Sequence, residues 1–214
     1  MIVIGGMIGI GKTTTARTLS ESLSLPVFYE SVSDNKVLPL FYKASEQELK
    51  EKRYPFLLQL NFLSSRFHSI QSSMKHHNAI LDRSIFEDRY FCKRNQELGR
   101  ISDLEMEVYD SFFERILESV PQKTKNETLM IYLKGSFDTI LSRIMERGRD
   151  FEIDDSLKQY YRFLYDGYDE IIRRAYLPSQ LFVVDVDCHD INRDPRDKEW
   201  FLDQVARRLA EPEK

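Results

Sequence analysis

Gly6-Met-Ile-Gly-Ile-Gly-Lys12-Thr13 is a complete G-x-x-x-x-G-K-[ST] phosphate loop, and its reading decides the fold. Met1-Ile2-Val3-Ile4 before it predicts a short buried strand. Thr13 to Leu25 after it predicts a helix, with Ala16, Leu19 and Leu23 at helical spacing. That strand–loop–helix context is what gives the motif chemical meaning. Glycines let the backbone of Gly6, Met7, Ile8, Gly9, Ile10 and Gly11 wrap a polyphosphate, so that N–H groups and a helix N-terminus face the anion. Lys12 can reach the outer phosphates, the Thr13 hydroxyl can join a Mg²⁺ shell, and Thr14 follows on the first turn. A glycine-rich turn that binds nothing is the bland alternative, and the flanking elements argue against it. The stretch predicts a site for a nucleoside triphosphate with its Mg²⁺.

Outward from the loop, strand-like runs recur at 2–5, 26–30, 79–82, 128–133 and 181–186. Helical periodicity fills 13–25, 54–76, 85–98, 102–119, 137–147, 156–177 and about 195–210. Residues 43–53 and 121–127 read as polar connections, and the tail Glu-Pro-Glu-Lys is expected to fray. Short apolar strands alternating with helices predict a parallel sheet covered on both faces. With 214 residues the chain is expected to form one α/β domain, 1–214.

The balance of 31 basic and 35 acidic residues, net −4, argues against a general nucleic-acid surface, so phosphate must be met by local arginine and lysine clusters. Cys92 and Cys188 have neither metal-ligand nor disulfide-framework spacing and read as thiols in a reducing compartment. No apolar stretch reaches membrane-spanning length, and a strand beginning at residue 2 leaves no room for a targeting peptide. The expectation is a soluble, cytoplasmic protein with no membrane partner.

Ligands of such sheets bind beyond the carboxyl ends of the strands. Glu30 closes the second strand and Asp82-Arg83-Ser84 the third. Phosphoryl transfer needs an aligned acceptor and positive charge around the moving group. Glu30 is placed to take the acceptor's proton, Asp82 to hold Mg²⁺ opposite Thr13, and Arg83 to brace Glu30 and touch phosphate. A polar strand end and a salt bridge remain the plainer readings. Arg143 and Arg147 share a helix face, Gly148 stops that helix, and Arg149 follows. These arginines either offset the helix dipole or form a mobile lid, about 143–152, over the triphosphate. In the apolar helix 54–76, Gln59 and Arg66 stack on one face about 10 Å apart. Such a helix is normally core, but this pair suggests a lined cavity in which Gln59 meets a base edge and Arg66 donates to ring acceptors. Trp200, the four histidines and the Asp185/Asp187 pair carry no comparable signal, and His76-His77 reads as a solvated helix end.

In this order the residues resemble the deoxynucleoside kinase family, most closely its bacterial deoxyadenosine/deoxyguanosine kinase branch. Beyond the loop, the resemblance rests on Phe28-Tyr29-Glu30, Leu38-Pro-Leu-Phe-Tyr42, Phe56-Leu-Leu-Gln59 with Phe62-Leu63 and Arg66, and the run Asp82 to Tyr90. Arg147 to Glu152 and Ser156 to Tyr161 extend it over nearly the whole chain. It implies a P-loop kinase fold with a five-stranded parallel sheet and an arginine-rich lid. It also implies that Glu30 acts as base on a nucleoside 5′-hydroxyl, with Arg83 orienting it and Asp82 near Mg²⁺. By the same resemblance Tyr42 and Glu152 hold the sugar 3′-hydroxyl, Gln59, Arg66 and Asp88 read the base, and Arg143, Arg147 and Arg149 form the lid. A homodimer inhibited by an end-product deoxynucleoside triphosphate is implied as well. Ser31 departs from the pattern, since many members have proline after the glutamate; this bears on the turn's rigidity and leaves the role of Glu30 in place.

The expected activity is transfer of the ATP γ-phosphoryl group to the 5′-hydroxyl of a purine deoxynucleoside, with deoxycytidine as a further candidate acceptor, in nucleotide salvage. A thymidylate-kinase-like monophosphate kinase is the enzyme alternative, but it would need extra cations for an acceptor phosphate. A nucleotide-dependent switch is the alternative from another class; the sequence lacks its guanine-reading Asn-Lys-x-Asp and its Asp-x-x-Gly segment.

Overall fold

A computed structural model describes residues 1–30, 32 and 34–210. Ser31 and the tail 211–214, with the expectations attached to them, lie outside the described residues. Five strands, β1 (Ile2–Gly6), β2 (Val27–Phe28), β3 (Ile80–Asp82), β4 (Leu129–Lys134) and β5 (Leu181–Asp185), form one sheet in the order β2-β3-β1-β4-β5. Every pairing is parallel. All five residues of β1 and the first five of β4 are buried, as strands covered on both faces must be. This is the expected α/β architecture.

The helices are α1 (Lys12–Leu23), α2 (Leu38–Lys43), α3 (Glu46–Glu51), α4 (Tyr54–Ser73), α5 (Ile85–Glu97), α6 (Asp103–Ser119), α7 (Gln122–Asn126), α8 (Phe137–Arg147), α9 (Leu157–Tyr165), α10 (Tyr168–Ala175) and α11 (Pro195–Ala210). Several elements differ from the sequence expectation, among them α2, which is not among the expected helices, and β2, shorter than 26–30. The polar segment 43–53 holds α3, whose start is a capping box: Ser45 and Glu48 satisfy one another's backbone N–H groups. Residues 121–127 hold the short α7. The helix expected over 156–177 is two helices, broken at Gly167, where a Cβ would come within 2.9 Å of the Tyr90 hydroxyl. β2 is an edge strand paired only with β3, and it stops before Tyr29 and Glu30.

The sheet order puts β1 between β3 and β4, so the phosphate loop leaves the centre of the sheet. The segment after β3 emerges on one side of it and α8, after β4, on the other. Gly9 carries φ +80°, and a Cβ there would lie 2.6 Å from Ile144 on α8. Only glycine allows both that backbone and that close approach.

Candidate active site

At the carboxyl ends of the strands a cleft of about 810 Å³ is lined by the phosphate loop, α2, α4, α5, α8 and the segment after β5. Of the expected site residues, Ile8, Gly9, Gly11, Lys12, Thr13, Thr14, Glu30, Tyr42, Gln59, Arg83, Asp88, Arg143, Arg147, Arg149 and Glu152 all line it. Gly6, Met7 and Ile10 supply the loop's buried backbone, and Asp82 sits beneath its mouth.

Lys12, at the N-terminus of α1, donates to the carbonyls of Gly6 at 2.7 Å and Met7 at 2.9 Å. Burial, reinforced by the neighbouring Arg83, lowers its pKa to about 7, against the pull of Glu87, Asp82 and Glu30. The Thr13 hydroxyl donates to Asp82 Oδ2 at 2.6 Å. Asp82 Oδ1 is buried without a hydrogen-bond partner among the described residues. Burial raises the Asp82 pKa, partly offset by Lys12. A hydroxyl and an unsatisfied carboxylate oxygen at a phosphate loop suit a hard, oxygen-seeking cation such as Mg²⁺.

Arg83 follows β3 with φ +83°, a conformation costly for a non-glycine residue and typical of functional sites. It places Nε 2.7 Å from Glu30 Oε1, and its guanidinium lies 4.9 Å from the Phe91 ring centroid. Arg66 approaches the same Glu30 oxygen at 3.3 Å. Burial pushes the Glu30 pKa up, but Arg83, Arg66 and Lys12 outweigh it and hold the carboxyl below its ordinary value. Glu30 is therefore ionised at neutral pH, the state a proton acceptor requires.

Arg66 is where the placement departs from the simplest expectation. Besides Glu30, its guanidinium donates to Asp88 Oδ2 at 2.9 Å and to the Asp82 carbonyl at 2.6 Å. It lies behind the cleft wall, fully buried, and is absent from the cleft lining. Its donors tie Glu30, β3 and Asp88 together. Gln59 and Asp88 do face the cleft; the Gln59 Oε1 is buried and has no partner among the described residues, an acceptor open to a donor. Burial raises the Asp88 pKa, and Arg66 opposes that rise.

Glu152 accepts from Arg149 at 3.2 Å and pairs with Arg147, so the arginines after α8 and the carboxylate expected at the sugar share one ion-pair cluster. Tyr42 packs its ring 5.7 Å from Phe151, next in sequence to Glu152. Arg143 is held differently: it donates to the Ile10 carbonyl of the phosphate loop at 2.5 Å.

Asp190, Asn192 and Arg193 also line the cleft and were not singled out in the sequence. They follow β5, so the strand-end rule applied to β1, β2 and β3 would have found them. Asp197 on α11 accepts from the Asp190 amide at 2.7 Å and lies 3.1 Å from His189 Nδ1, while His189 stacks on Trp200 with centroids 4.1 Å apart. Trp200 and a histidine thus anchor a cleft loop.

A family description, deoxynucleoside kinase, matches residues 2–210. The chain is 38% identical to a deoxyguanosine kinase of Lactobacillus acidophilus, over 99% of this chain and 91% of the relative. It is 35% identical to a deoxyadenosine kinase of the same organism, over 99% and 97%. A solved structure of deoxyadenosine kinase from M. mycoides, with the products dCMP and a flexible dCDP bound, superposes with a TM-score of 0.79 at 26% identity, covering 96% of this chain and 98% of that one. The match is end to end and takes in a phosphate loop, a braced strand-end glutamate and an arginine cluster in one cleft; the monophosphate-kinase and switch alternatives are set aside, and the chain belongs to the deoxynucleoside kinase family of ATP-dependent phosphotransferases.

Proposed function

We propose that this kinase transfers the γ-phosphoryl group of ATP to the 5′-hydroxyl of a purine deoxynucleoside, with deoxycytidine as a secondary acceptor, in nucleotide salvage. The observation that carries the assignment of roles is Glu30: ionised, braced by Arg83, and in the same cleft as Lys12 and the phosphate loop. Glu30 accepts the 5′-hydroxyl proton as the oxygen attacks the γ-phosphorus and ADP leaves. Arg83, Arg143, Arg147 and Arg149 meet the charge that develops on the transferred group, the lid spanning about 143–152. Thr13 and Asp82 would hold Mg²⁺, which supplies charge neutralisation on the phosphates. Among the described residues no group of three or more His, Cys, Asp or Glu side chains could hold a metal, in keeping with an ion that arrives on ATP. Tyr42 and Glu152 hold the 3′-hydroxyl, and Gln59 and Asp88 read the base, with Arg66 orienting Asp88.

The purine assignment is supported by the names of the two L. acidophilus relatives and by the acceptors Gln59 Oε1 and Asp88, which suit an exocyclic amine. One continuous cleft joins the phosphate loop to the acceptor side, so a product deoxynucleoside triphosphate can span both and inhibit. The chain reads as one domain and as a homodimer. Leu104, Val108 and Phe112 support the dimer, forming an exposed apolar stripe at i, i+4 and i+8 on α6. A monomer by sedimentation would refute it. Cys92 and Cys188 are free thiols, which supports a cytoplasmic location, and no helix of the described residues is long and apolar enough to cross a membrane. A steady-state panel of the four deoxynucleosides with ATP tests the acceptor: the purines should lead, and a preference for a monophosphate acceptor would overturn the reading.

A further inference from the structure

Glu87 belongs to the Asp82–Tyr90 run but faces no part of the cleft; it is fully buried beneath it. Its two oxygens serve different partners. Oε2 accepts from the Ser84 amide at 2.7 Å and completes the capping box of α5. Oε1 accepts from the Gly6 amide, the first N–H of the phosphate loop, at 3.1 Å, and from the Tyr168 hydroxyl of α10. Arg83 Nη1 lies 3.5 Å from that same oxygen. The Gly6 amide also reaches the Tyr168 hydroxyl at 3.2 Å.

A capping box is served as well by glutamine as by glutamate. Burying a carboxylate is costly unless both of its oxygens are met, so a cap that uses only Oε2 does not account for a glutamate here. The partners of Oε1 do: an arginine at the reacting centre and the entrance of the phosphate loop. We propose that Glu87 is a positioning residue for phosphoryl transfer, fixing Arg83 and the first amide of the phosphate loop in one frame and locking that frame to α10 through Tyr168.

The need for such a residue follows from the chemistry assigned to Glu30. When Glu30 takes up the 5′-hydroxyl proton it becomes neutral, and Arg83 loses the nearer of its two carboxylates. Glu87 cannot be reached by solvent or substrate, so it keeps Arg83 paired and in place through the transfer. The charged and titratable groups around Glu87 are Arg83 after β3, Lys12 on α1, Tyr132 on β4, and Tyr168 and Tyr176 on and after α10. Burial raises all three tyrosines, so they stay neutral in the working range and Arg83 and Lys12 are the cations that face Glu87.

Glu87→Gln keeps the volume and the cap but removes the charge. In the full-length protein kcat should fall about tenfold or more. The deoxynucleoside Kd should stay within about twofold, because Glu87 does not touch the cleft. A structural cap alone would change the folded fraction and leave the kcat of the folded enzyme in place, so a wild-type kcat, or equal losses in kcat and nucleoside binding, overturns the inference. Tyr168→Phe removes only the hydroxyl that joins α10 to Glu87 and keeps the idea testable should Glu87→Gln not fold. It should lower kcat severalfold at constant nucleoside Kd, and a wild-type kcat would sever the link to α10. The inference rests on the roles given to Glu30 and Arg83. A wild-type kcat in Arg83→Lys overturns the Arg83 role as well, whereas a slowed Arg83→Lys beside a wild-type Glu87→Gln overturns Glu87 alone.

Discussion

Arg83 Nε stands 2.7 Å from Glu30 Oε1, a contact made possible by the left-handed backbone of Arg83 at the end of β3. The contact keeps the glutamate ionised and aims it along the cleft that also holds the phosphate loop. In the proposed role of base, a lowered pKa makes Glu30 weak but keeps it in its working state, and the arginines that lower it would also stabilise the charge passing to phosphate.

Glu30→Gln should therefore retain nucleoside binding and lose about 10²–10⁴-fold in kcat, since the amide still meets the 5′-hydroxyl but cannot take its proton. In the wild type the acid limb of the rate profile should lie below the ordinary glutamate value of 4.5, because Arg83, Arg66 and Lys12 outweigh burial. Near wild-type turnover of a folded Glu30→Gln variant would remove Glu30 from the role of base.

Arg147 and Arg149 both pair with Glu152, so the proposed lid and the proposed sugar site share a carboxylate. Alanine at both positions should slow the phosphoryl step, measured by rapid quench, with a much smaller change in nucleoside Kd, because the charge they meet is greatest during transfer. Comparable losses in nucleoside binding would make them substrate-side residues.

Base choice should follow Asp88 and Gln59. Thymidine has no exocyclic amine and would leave these buried acceptors unpaired, so its kcat/KM should be lower than that of the purines by a factor of up to roughly 10⁴. Asp88→Asn keeps the shape and one oxygen for Arg66 but swaps an acceptor for a donor, and should cost the best purine about 10–100-fold in kcat/KM. The double change Asp88→Ala with Arg66→Met should relax the exclusion of thymidine, but at a loss of turnover, because Arg66 also braces Glu30. Efficient phosphorylation of thymidine by the wild type would show that these residues do not read the base.

Lys12 gives a pH signature. Its folded pKa is lowered to about 7 from an ordinary 10.5. Between those values the unfolded chain holds a proton that the folded chain lacks, so stability of the nucleotide-free protein rises with pH in that window. Burying the charged lysine costs most below about 7, and that cost is gone above 10.5. ATP reverses the balance by favouring the protonated amine. Binding at pH 8 should take up a proton, read by calorimetry in buffers of different ionisation enthalpy, and affinity should weaken as pH rises above 7. No proton uptake at pH 8 would contradict the assignment.

The sequence by itself determined the phosphate loop, the alternation of strands and helices, and the residues at the first three strand ends, because these depend on local pattern: glycine spacing, apolar periodicity and position after a strand. The resemblance added Tyr42, Asp88 and Glu152, which no local pattern marks. It was local reading, too, that merged α9 with α10 and passed over the Ser45–Glu48 cap of α3, the first because the break depends on Gly167 meeting Tyr90 across the fold. Only the tertiary structure decided which charges face ligand and which face each other. Gln59 and Arg66 sit on one helix at a spacing that suggests equal access, yet Gln59 lines the cleft while Arg66 is spent on Glu30, Asp82 and Asp88. Glu87 looks like a capping residue until Gly6 and Tyr168, 81 positions away on either side, converge on its second oxygen. A buried charge is tolerable only where partners from distant elements meet it, and that meeting is a property of the packed chain.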